Sequence, residues 1–320
     1  MSSPSQRLVV GLPRPVLDNR TKKLLQNLKL GGIVLFDRNG KNPAQLKDMV
    51  KEIHSASMHK IFVAIDYEGG RVQRMKELFE PIKAPADYAK GPLKSLRDDC
   101  LKVARQFKSV GININFAPVA DVEYQPVNPA LDGRVYSSRA DLVVEYVQAF
   151  IETFHSLNIR CCLKHFPGLG SAVNDPHEAV SLTCQPLERL MAHDMIPFRA
   201  GIDSGVDFMM TTHMISSAID NKVATFSENV IQLARKIGFE GVMITDDMSM
   251  GAVKSRDLPG QVLETLACGH DMALVCHDRE KYDDIIIHLE KNIDVLNKHG
   301  HTESLNRINN VKKKLPARYS

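Results

Sequence analysis

A lysine and a histidine stand side by side where an apolar run of this chain meets a loop rich in proline and glycine. Residues 160–180 read RCCLKHFPGLGSAVNDPHEAV, so Lys164 and His165 end the apolar run, and an Asp-x-His pair, Asp175 and His177, follows on the loop. Glycine and proline at this density are typical of a loop, and loops held by rigid elements often carry binding or catalytic residues. We therefore expect a site that binds or reacts with a ligand in this stretch.

The spacing of Asp175 and His177 has a direct chemical meaning. In an extended loop, residues two apart can point to the same side and hydrogen-bond, and a carboxylate that orients an imidazole makes a proton shuttle near neutral pH. Pro176 restricts Asp175 to extended conformations, which favours this arrangement. A lone Asp-x-His pair is also common in surface loops without function, so the spacing by itself leaves both interpretations open.

A second pair of carboxylates, Asp246 and Asp247, follows the apolar segment Val242-Met243-Ile244-Thr245. Two adjacent carboxylates at the end of a strand can supply a nucleophile, a pair of metal ligands or the N-cap of a following helix. The residues alone do not choose among these three roles.

The segments that must position these side chains alternate between short apolar runs and helical patterns. Eight apolar runs are predicted as strands: Leu8–Gly11, Gly32–Phe36, Ile61–Asp66, Ile112–Ala117, Arg160–His165, Asp207–Thr212, Gly241–Thr245 and Met272–Cys276. Eight strands alternating with helices predict an α/β fold, a single (β/α)8 TIM-like barrel. A doubly wound open sheet is the rival, but no GxGxxG follows the first run. We expect residues 1–320 to form one domain, with a catalytic loop around 166–180 and C-terminal helices from about 281.

A barrel predicts where the polar residues meet, because its active site forms at the C-terminal ends of the strands. Asp66, the pair Lys164-His165, residues 211–213 and Asp246 all stand at such ends. Adjacent strand residues alternate in direction, so at most one of Lys164 and His165 points straight into the barrel, although both can reach the rim. Four strands that end in polar residues favour a shared site over isolated strand caps.

Composition limits the other functions. The 320 residues include 41 basic and 38 acidic side chains, a net charge of +3 that gives no reason to expect nucleic acid. No apolar run approaches the ~20 residues that cross a bilayer, and residues 1–15 lack the pattern of a signal peptide. The six cysteines form no CxxC pair, which is typical of a reducing compartment. We expect a cytoplasmic protein that binds neither nucleic acid nor membrane and needs no obligate protein partner.

Four motifs, in this order, resemble one known family. The chain carries DYEGGRVQR at 66–74, Gly133-Arg134, KHFPG at 164–168 with the downstream Asp175-x-His177, and TDDMSM at 245–250. Together they resemble the bacterial β-N-acetylglucosaminidases of glycoside hydrolase family 3. The resemblance implies a barrel and a retaining exo-β-N-acetylglucosaminidase that acts on a GlcNAc-containing saccharide, a cell-wall fragment of the kind recycled from peptidoglycan. It implies neither a metal nor an organic cofactor.

The resemblance also assigns roles to residues of this sequence. It implies that Asp246 is the nucleophile and that Asp247 is structural. It implies that His177 is the general acid/base and that Asp175 is its partner. It further implies a set of residues that bind sugar hydroxyls: Asp66, Arg74, Arg134, Lys164 and His165.

Several positions depart from the family pattern, including the segment around Gly133-Arg134, which reads LDGRVYS at 131–137. Leu169 stands where a second histidine is usual, Pro176 where serine is usual and Tyr67 where glutamine is usual. Alternative functions also stay open. One alternative is a phosphorylase, in which phosphate replaces water as the acceptor. A second is a barrel metallohydrolase that uses His165, His213, Asp246 and Asp175, and a third is an inactive sugar-binding homologue.

Overall fold

The computed structural model describes residues 3–27, 29–175, 180–253 and 257–316, and within them the chain closes an eight-stranded barrel of parallel strands. The strands are β1 Leu8–Gly11, β2 Gly32–Leu35, β3 Phe62–Ile65, β4 Ile114–Asn115, β5 Arg160–Phe166, β6 Phe208–Thr211, β7 Val242–Asp247 and β8 Met272–Val275. Each strand pairs with its neighbour in the sequence, and β1 pairs with β8 to close the ring. The predicted barrel is confirmed.

Helices cover the outside of the barrel. They are α1 Asn19–Asn27, α2 Pro43–Ala56, α3 Pro85–Tyr88, α4 Leu93–Val110, α5 Ala140–His155, α6 Leu187–Arg189, α7 Met195–Asp203, α8 Glu228–Lys236, α9 Leu258–Ala267, α10 Tyr282–Lys291, α11 Ile293–Lys298 and α12 His301–Lys314. Outside the barrel, Tyr67–Gly69 pairs antiparallel with Val72–Gln73, and Ser181–Thr183 pairs parallel with Met214–Ser216. No helix within the described ranges is long and apolar enough to cross a membrane.

Local sequence signals explain some of the helix boundaries. Ser227 caps α8, since its hydroxyl accepts a hydrogen bond from the backbone N–H of Val230 at 3.2 Å. The sequence from Leu187 to Gly201 has a helical pattern throughout, but a π-helical turn, Leu190–Asp194, separates α6 from α7. Pro197 lies in the first turn of α7, and proline disrupts the helical turn before it because it lacks an N–H and crowds the carbonyl four residues earlier.

The core has an inner layer within the barrel and an outer layer between strands and helices. The rings of Phe62 and Phe208 meet edge to face inside the barrel, 5.2 Å between centroids. Helix α12 packs Leu305, Ile308 and Val311 against this inner layer. The C-terminal helix therefore closes the end of the barrel where the strands begin, and the polar strand ends lie at the opposite, open end.

Candidate active site

A cavity of about 450 Å³ lies at the C-terminal ends of the strands. Its polar lining comes from segments that follow different strands, which brings together residues far apart in the chain. The described residues that line it are Phe36, Asp66, Glu68, Arg71, Val72, Arg74, Arg134, Lys164, His165, Met210, Asp246, Asp247, Ser249, Met250, Gly251, Leu274, Cys276 and His277. Six of the eight site residues expected from the sequence line this cavity: Asp66, Arg74, Arg134, Lys164, His165 and Asp246.

A compact ion cluster forms one wall of the cavity. The ammonium of Lys164 lies 2.8 Å from Oδ1 of Asp66 and 2.6 Å from Oε1 of Glu68. The guanidinium of Arg134 donates to both oxygens of Glu68 at 2.8 Å, a bidentate pair, and its Nη1 donates to the carbonyl of Ala130 at 2.7 Å. Since Lys164, Arg134 and Glu68 are almost fully buried, their charges are fixed relative to the cavity.

The charges of this cluster stabilise one another against the cost of burial. Burial raises the pKa of Glu68, but Arg134 and Lys164 outweigh it and hold that pKa well below its usual value. Burial lowers the pKa of Lys164, but Asp66 and Glu68 outweigh it and hold that pKa above its usual value. Glu68, Lys164 and Arg134 are therefore all ionised across the physiological pH range.

Glu68 is the main residue of this wall that the sequence reasoning missed. It lies two positions after Asp66 in the motif DYEGGRVQR, within the strand Tyr67–Gly69. Residues two apart on extended backbone face the same side, so the period-two spacing from Asp66 was a signal that could have identified it.

Lys164 and His165 both line the cavity although they are adjacent in β5. The pairing of β5 with β6 shifts register between Leu163 and Phe166, so the regular alternation of side chains is broken at this point. The imidazole of His165 uses both ring nitrogens: Nδ1 lies 2.7 Å from Oδ2 of Asp121, and Nε2 lies 3.2 Å from Nη2 of Arg134. Asp121 is a second buried residue that the sequence reasoning missed.

Asp246 and Asp247 at the end of β7 have different surroundings. Asp246 faces the cavity, and its Oδ1 accepts the backbone N–H of Asp247 at 2.8 Å. Burial raises the pKa of Asp246, but His213 and the other polar groups around this carboxyl outweigh burial and hold that pKa below its usual value. This carboxyl is therefore ionised near neutral pH, as a nucleophile or an electrostatic stabiliser must be.

Phe36 and His277 add aromatic rings to the cavity lining, and two guanidinium groups lie near Phe36. The rings of Phe36 and His277 lie 5.1 Å apart, and the guanidinium groups of Arg38 and Arg74 lie 4.4 and 5.5 Å from the centroid of Phe36. The side chain of Arg74 is 39% exposed and lies 3.9 Å from Asp37, so a ligand can reach it. Phe36 and His277 follow β2 and β8, and only their positions after strand ends signalled a role.

Of the predicted Asp175–His177 pair, the structure describes Asp175. Asp175 is half-buried, and it is not among the described residues that line the cavity. The backbone just before it is fixed, since Asn174 exchanges hydrogen bonds with the hydroxyl of Ser181 and its carbonyl accepts from Asn128 at 3.1 Å. His177 and Pro176 lie outside the described residues, and the pairing stays a prediction.

Two of the departures from the family pattern have a structural explanation. Leu169 is buried in a small apolar cluster with Val119, Val135 and Met214. Tyr67 donates its hydroxyl hydrogen to the carbonyl of Glu80 at 2.9 Å and packs edge to face on two phenylalanines. Both side chains are therefore integrated into the packing around the cavity.

Among the residues that the structure describes, no three histidine, cysteine, aspartate or glutamate side chains are grouped so that they could hold a metal ion. His213 of the metallohydrolase alternative has other contacts: Nε2 donates to the carbonyl of Asp247 at 2.9 Å, and Nδ1 lies 2.6 Å from the hydroxyl of Thr225.

Comparison with known proteins identifies the family. The sequence matches the glycosyl hydrolase family 3 N-terminal domain over residues 8–311. A β-hexosaminidase of Xanthomonas oryzae pv. oryzae (strain KACC10331 / KXO85) is 32% identical over 281 residues, which cover 84% of this chain and 83% of the relative. The chain therefore belongs to glycosyl hydrolase family 3 and is a glycoside hydrolase. The family and the class of enzyme predicted from the four motifs are confirmed.

Solved structures show the same fold. A family 3 β-N-acetylglucosaminidase from Paenibacillus sp. str. FPU-7 superposes with a TM-score of 0.91 at 27% identity, over 98% of this chain and 63% of that one. NagZ from Neisseria gonorrhoeae, solved in complex with N-trifluoroacetyl-D-glucosamine, superposes with a TM-score of 0.83 at 26% identity, over 98% of both chains.

Proposed function

We propose that this protein is a retaining exo-β-N-acetylglucosaminidase. Asp246 attacks the anomeric carbon, the glycosidic C–O bond breaks, and His177, oriented by Asp175, protonates the leaving oxygen. Water then attacks the anomeric carbon of the glycosyl-enzyme while His177 accepts its proton, and the sugar is released with net retention of configuration. Asp66, Arg74, Arg134, Lys164 and His165 surround the sugar.

The position and ionisation of Asp246 are the observation that carries this proposal. Its carboxylate faces the cavity, its Oδ1 accepts the neighbouring Asp247 N–H, and nearby groups lower its pKa. A nucleophile needs an ionised carboxylate with an accessible oxygen beside the bound sugar. The matching motif residues of the family support the same assignment.

The ion cluster retains hydrogen-bonding capacity that suits a sugar. Lys164 uses two of its three N–H groups on Asp66 and Glu68, and within the described part of the chain no hydrogen bond reaches Oδ2 of Asp66, which can therefore accept. A carboxylate and an ammonium side by side can accept and donate hydrogen bonds to adjacent hydroxyls. The structure of the Neisseria enzyme with a glucosamine derivative supports an N-acylated glucosamine as the sugar.

We further propose that the substrate is a GlcNAc-containing cell-wall fragment and that the enzyme works in the cytoplasm. The β-hexosaminidase relative supports the hexosamine, and the resemblance to peptidoglycan-recycling enzymes supports the cell wall. All six cysteines are free thiols, which supports a reducing compartment. We also propose that residues 1–320 act as one barrel domain without an obligate protein partner.

Turnover of paired aryl β-glycosides tests the proposed function. The enzyme should release nitrophenol from the β-GlcNAc glycoside at a rate far above that from the β-glucoside, and the first sugar product should be the β-anomer of GlcNAc. Equal rates with and without inorganic phosphate are expected for a hydrolase. Formation of GlcNAc-1-phosphate would instead establish the phosphorylase, and an absence of turnover on all of these substrates would favour a sugar-binding homologue.

A further inference from the structure

Asp121 is a buried carboxylate that serves two parts of the site at once. It follows β4, has no solvent exposure and does not line the cavity. Its Oδ2 accepts from the backbone N–H of His165 at 3.1 Å and lies 2.7 Å from Nδ1 of the same residue. Its Oδ1 accepts from the backbone N–H of Leu169 at 2.7 Å. One side chain thus holds the end of β5 and the first turn of the loop that follows.

The partners on either side of His165 determine its tautomer. The guanidinium of Arg134 can only donate, so Nε2, 3.2 Å from Nη2, must carry a lone pair. The ring proton is then on Nδ1, where it is donated to the carboxylate of Asp121. A proton on Nε2 would put two donors face to face, which makes the Nδ1–H tautomer the one that satisfies both contacts.

The hydrogen bonds continue from His165 through the whole ion cluster. Arg134 accepts no hydrogen bond and is oriented by His165, Glu68 and the carbonyl of Ala130. Glu68 in turn forms an ion pair with the ammonium of Lys164, which also pairs with Asp66. The chain of contacts runs from a fully buried carboxylate to the residues that face the cavity.

We propose that Asp121 is a positioning residue of the glycosidase: through the Nδ1–H tautomer of His165 it orients Arg134 for the sugar, and through Leu169 it anchors the start of the catalytic loop. This proposal rests on the proposed function, because it takes the cavity cluster as the sugar site. If Asp121 only stabilised the fold, its substitution would leave the geometry of the ion cluster unchanged in the molecules that still fold.

The close packing of the loop supports an anchoring role. Gly170 lies so near the carbonyl of Val122 that a Cβ at this position would approach that oxygen to 1.8 Å. Residues 121 and 122 therefore contact consecutive residues of the loop. The side chain of Asp121 binds the N–H of Leu169, and the backbone of Val122 packs against Gly170. Asn128, further along the same connection, binds the carbonyls of Ala172 and Asn174.

The first test reads the tautomer without substrate. Nitrogen-15 NMR of the wild-type enzyme should show His165 protonated at Nδ1 and not at Nε2, with His165→Gln used to assign the signal. A ring protonated at Nε2 in the wild-type enzyme would overturn the proposal. This measurement does not depend on which sugar the enzyme cleaves, so it separates a failure of this proposal from a failure of the proposed function.

The second test is a double-mutant cycle on kcat/KM with the aryl glycoside that the enzyme turns over best. An amide has one acceptor oxygen where the carboxylate has two, so Asp121→Asn cannot serve both His165 and Leu169. We expect Asp121→Asn to lower kcat/KM about 10–100-fold, the range seen when the hydrogen-bond partner that orients a metal-binding histidine is lost. In the His165→Ala background, the same substitution should cost markedly less, because part of its effect passes through His165.

A buried carboxylate at the other end of the barrel provides the control. Asp207 precedes β6 and lies 2.6 Å from Nζ of Lys314 and 3.5 Å from Nη1 of Arg160. Asp207→Asn should change thermal stability and leave kcat/KM and the His165 signal as in the wild type. Equal losses from Asp121→Asn in the wild-type and His165→Ala backgrounds would show that Asp121 does not act through His165.

Discussion

Asp246 and Asp247 are neighbours in the chain and both line the cavity, but their carboxylates have different hydrogen-bond partners. Oδ1 of Asp247 accepts from the backbone N–H and the hydroxyl of Ser249 at 3.0 and 2.7 Å and from the N–H of Cys276 at 3.0 Å. Asp246 accepts the N–H of Asp247 and faces the cavity. Asp247 thus connects β7 to its following turn and to the end of β8, while Asp246 is left for chemistry.

The first prediction follows from this difference. Asp246→Asn should lower kcat at least about 10³-fold, since removal of a covalent nucleophile has cost this much or more elsewhere. Asp247→Asn should be far milder, because the amide oxygen can still accept from Ser249 and Cys276. Rates on an aryl β-GlcNAc glycoside, with circular dichroism to confirm folding, measure both. A mechanism-based fluorosugar should label Asp246, and a label on Asp247 would reverse the assignment.

The second prediction concerns Glu68, which holds Arg134 and Lys164 together. Glu68→Gln removes the charge that both cations face and should lower the free energy of unfolding by about 3 kcal/mol, since breaking a buried ion pair leaves uncompensated charge. The same change should raise KM, because Lys164 and Arg134 lose their fixed positions. Urea denaturation and steady-state kinetics measure the two effects.

Asp141 offers a matched control for that substitution. It also pairs with an arginine, Arg139, at 2.5 Å, but both side chains are 66% exposed. Exposed pairs contribute little because solvent screens them, so Asp141→Asn should change neither the urea midpoint nor KM measurably. A Glu68→Gln variant as stable as this control would show that the buried cluster does not depend on its central carboxylate.

The contrast between Asp66 and Asp121 shows how far the sequence could predict this site. Strand β3 is an apolar run, so its end and the carboxylate that follows it could be identified from the order of residues. Asp121 lies in the connection between β4 and α5, where the backbone pairs with β5 only through the isolated bridge Val119–Lys164 and the sequence shows no strand or helix periodicity. Which backbone N–H groups its carboxylate reaches depends on tertiary packing alone.

Strand boundaries show a similar limit. The strand predicted over Gly241–Thr245 extends through Asp247, because backbone pairing with β8 continues past the last apolar residue. Hydrophobic pattern predicts the buried part of a strand, whereas hydrogen bonds to the neighbouring strand determine its end. Asp246 and Asp247 lie at this end of β7, so the hydrophobic pattern did not predict that these two carboxylates belong to the strand.

The third prediction uses Lys312 at the closed end of the barrel. Its ammonium lies 5.2 Å from the ring centroid of Phe62, and the buried Nζ has no hydrogen-bond partner among the residues that the structure describes. Burial lowers the pKa of Lys312 from 10.5 to about 7. Below pH 7 the lysine is charged in both states and the folded protein bears the full cost of burial. Between about pH 7 and 10.5 the unfolded chain binds more protons, so stability rises with pH.

Lys312→Met should therefore stabilise the protein most at low pH. We expect a gain of about 2 kcal/mol in the free energy of unfolding at pH 6, because an unpartnered charge is removed from the core. The gain should shrink as the pH is raised towards 9. Urea denaturation at both pH values measures it, with Lys313→Met as control, since Lys313 is exposed on the same helix. A gain that does not change with pH would mean that Lys312 does not titrate in this range.

The fourth prediction tests the acid role assigned to His177 by sequence. General acid catalysis typically contributes about 10²–10⁴-fold, and only when the leaving group needs a proton. His177→Ala should therefore lose far more activity on a sugar leaving group than on an activated nitrophenyl one. A series of aryl β-GlcNAc glycosides with different leaving-group pKa values, measured by pre-steady-state kinetics, isolates the glycosylation step.

Asp175 supplies the comparison that distinguishes the acid from its partner. Asp175→Ala should steepen the dependence on leaving-group pKa in the same direction as His177→Ala but less strongly, because the carboxylate only orients and tunes the imidazole. The double variant should resemble His177→Ala alone, since Asp175 has no role once the imidazole is gone. An unchanged leaving-group dependence in His177→Ala would remove this histidine from the acid role. A larger effect from Asp175→Ala than from His177→Ala would make the carboxyl group of Asp175 the proton donor.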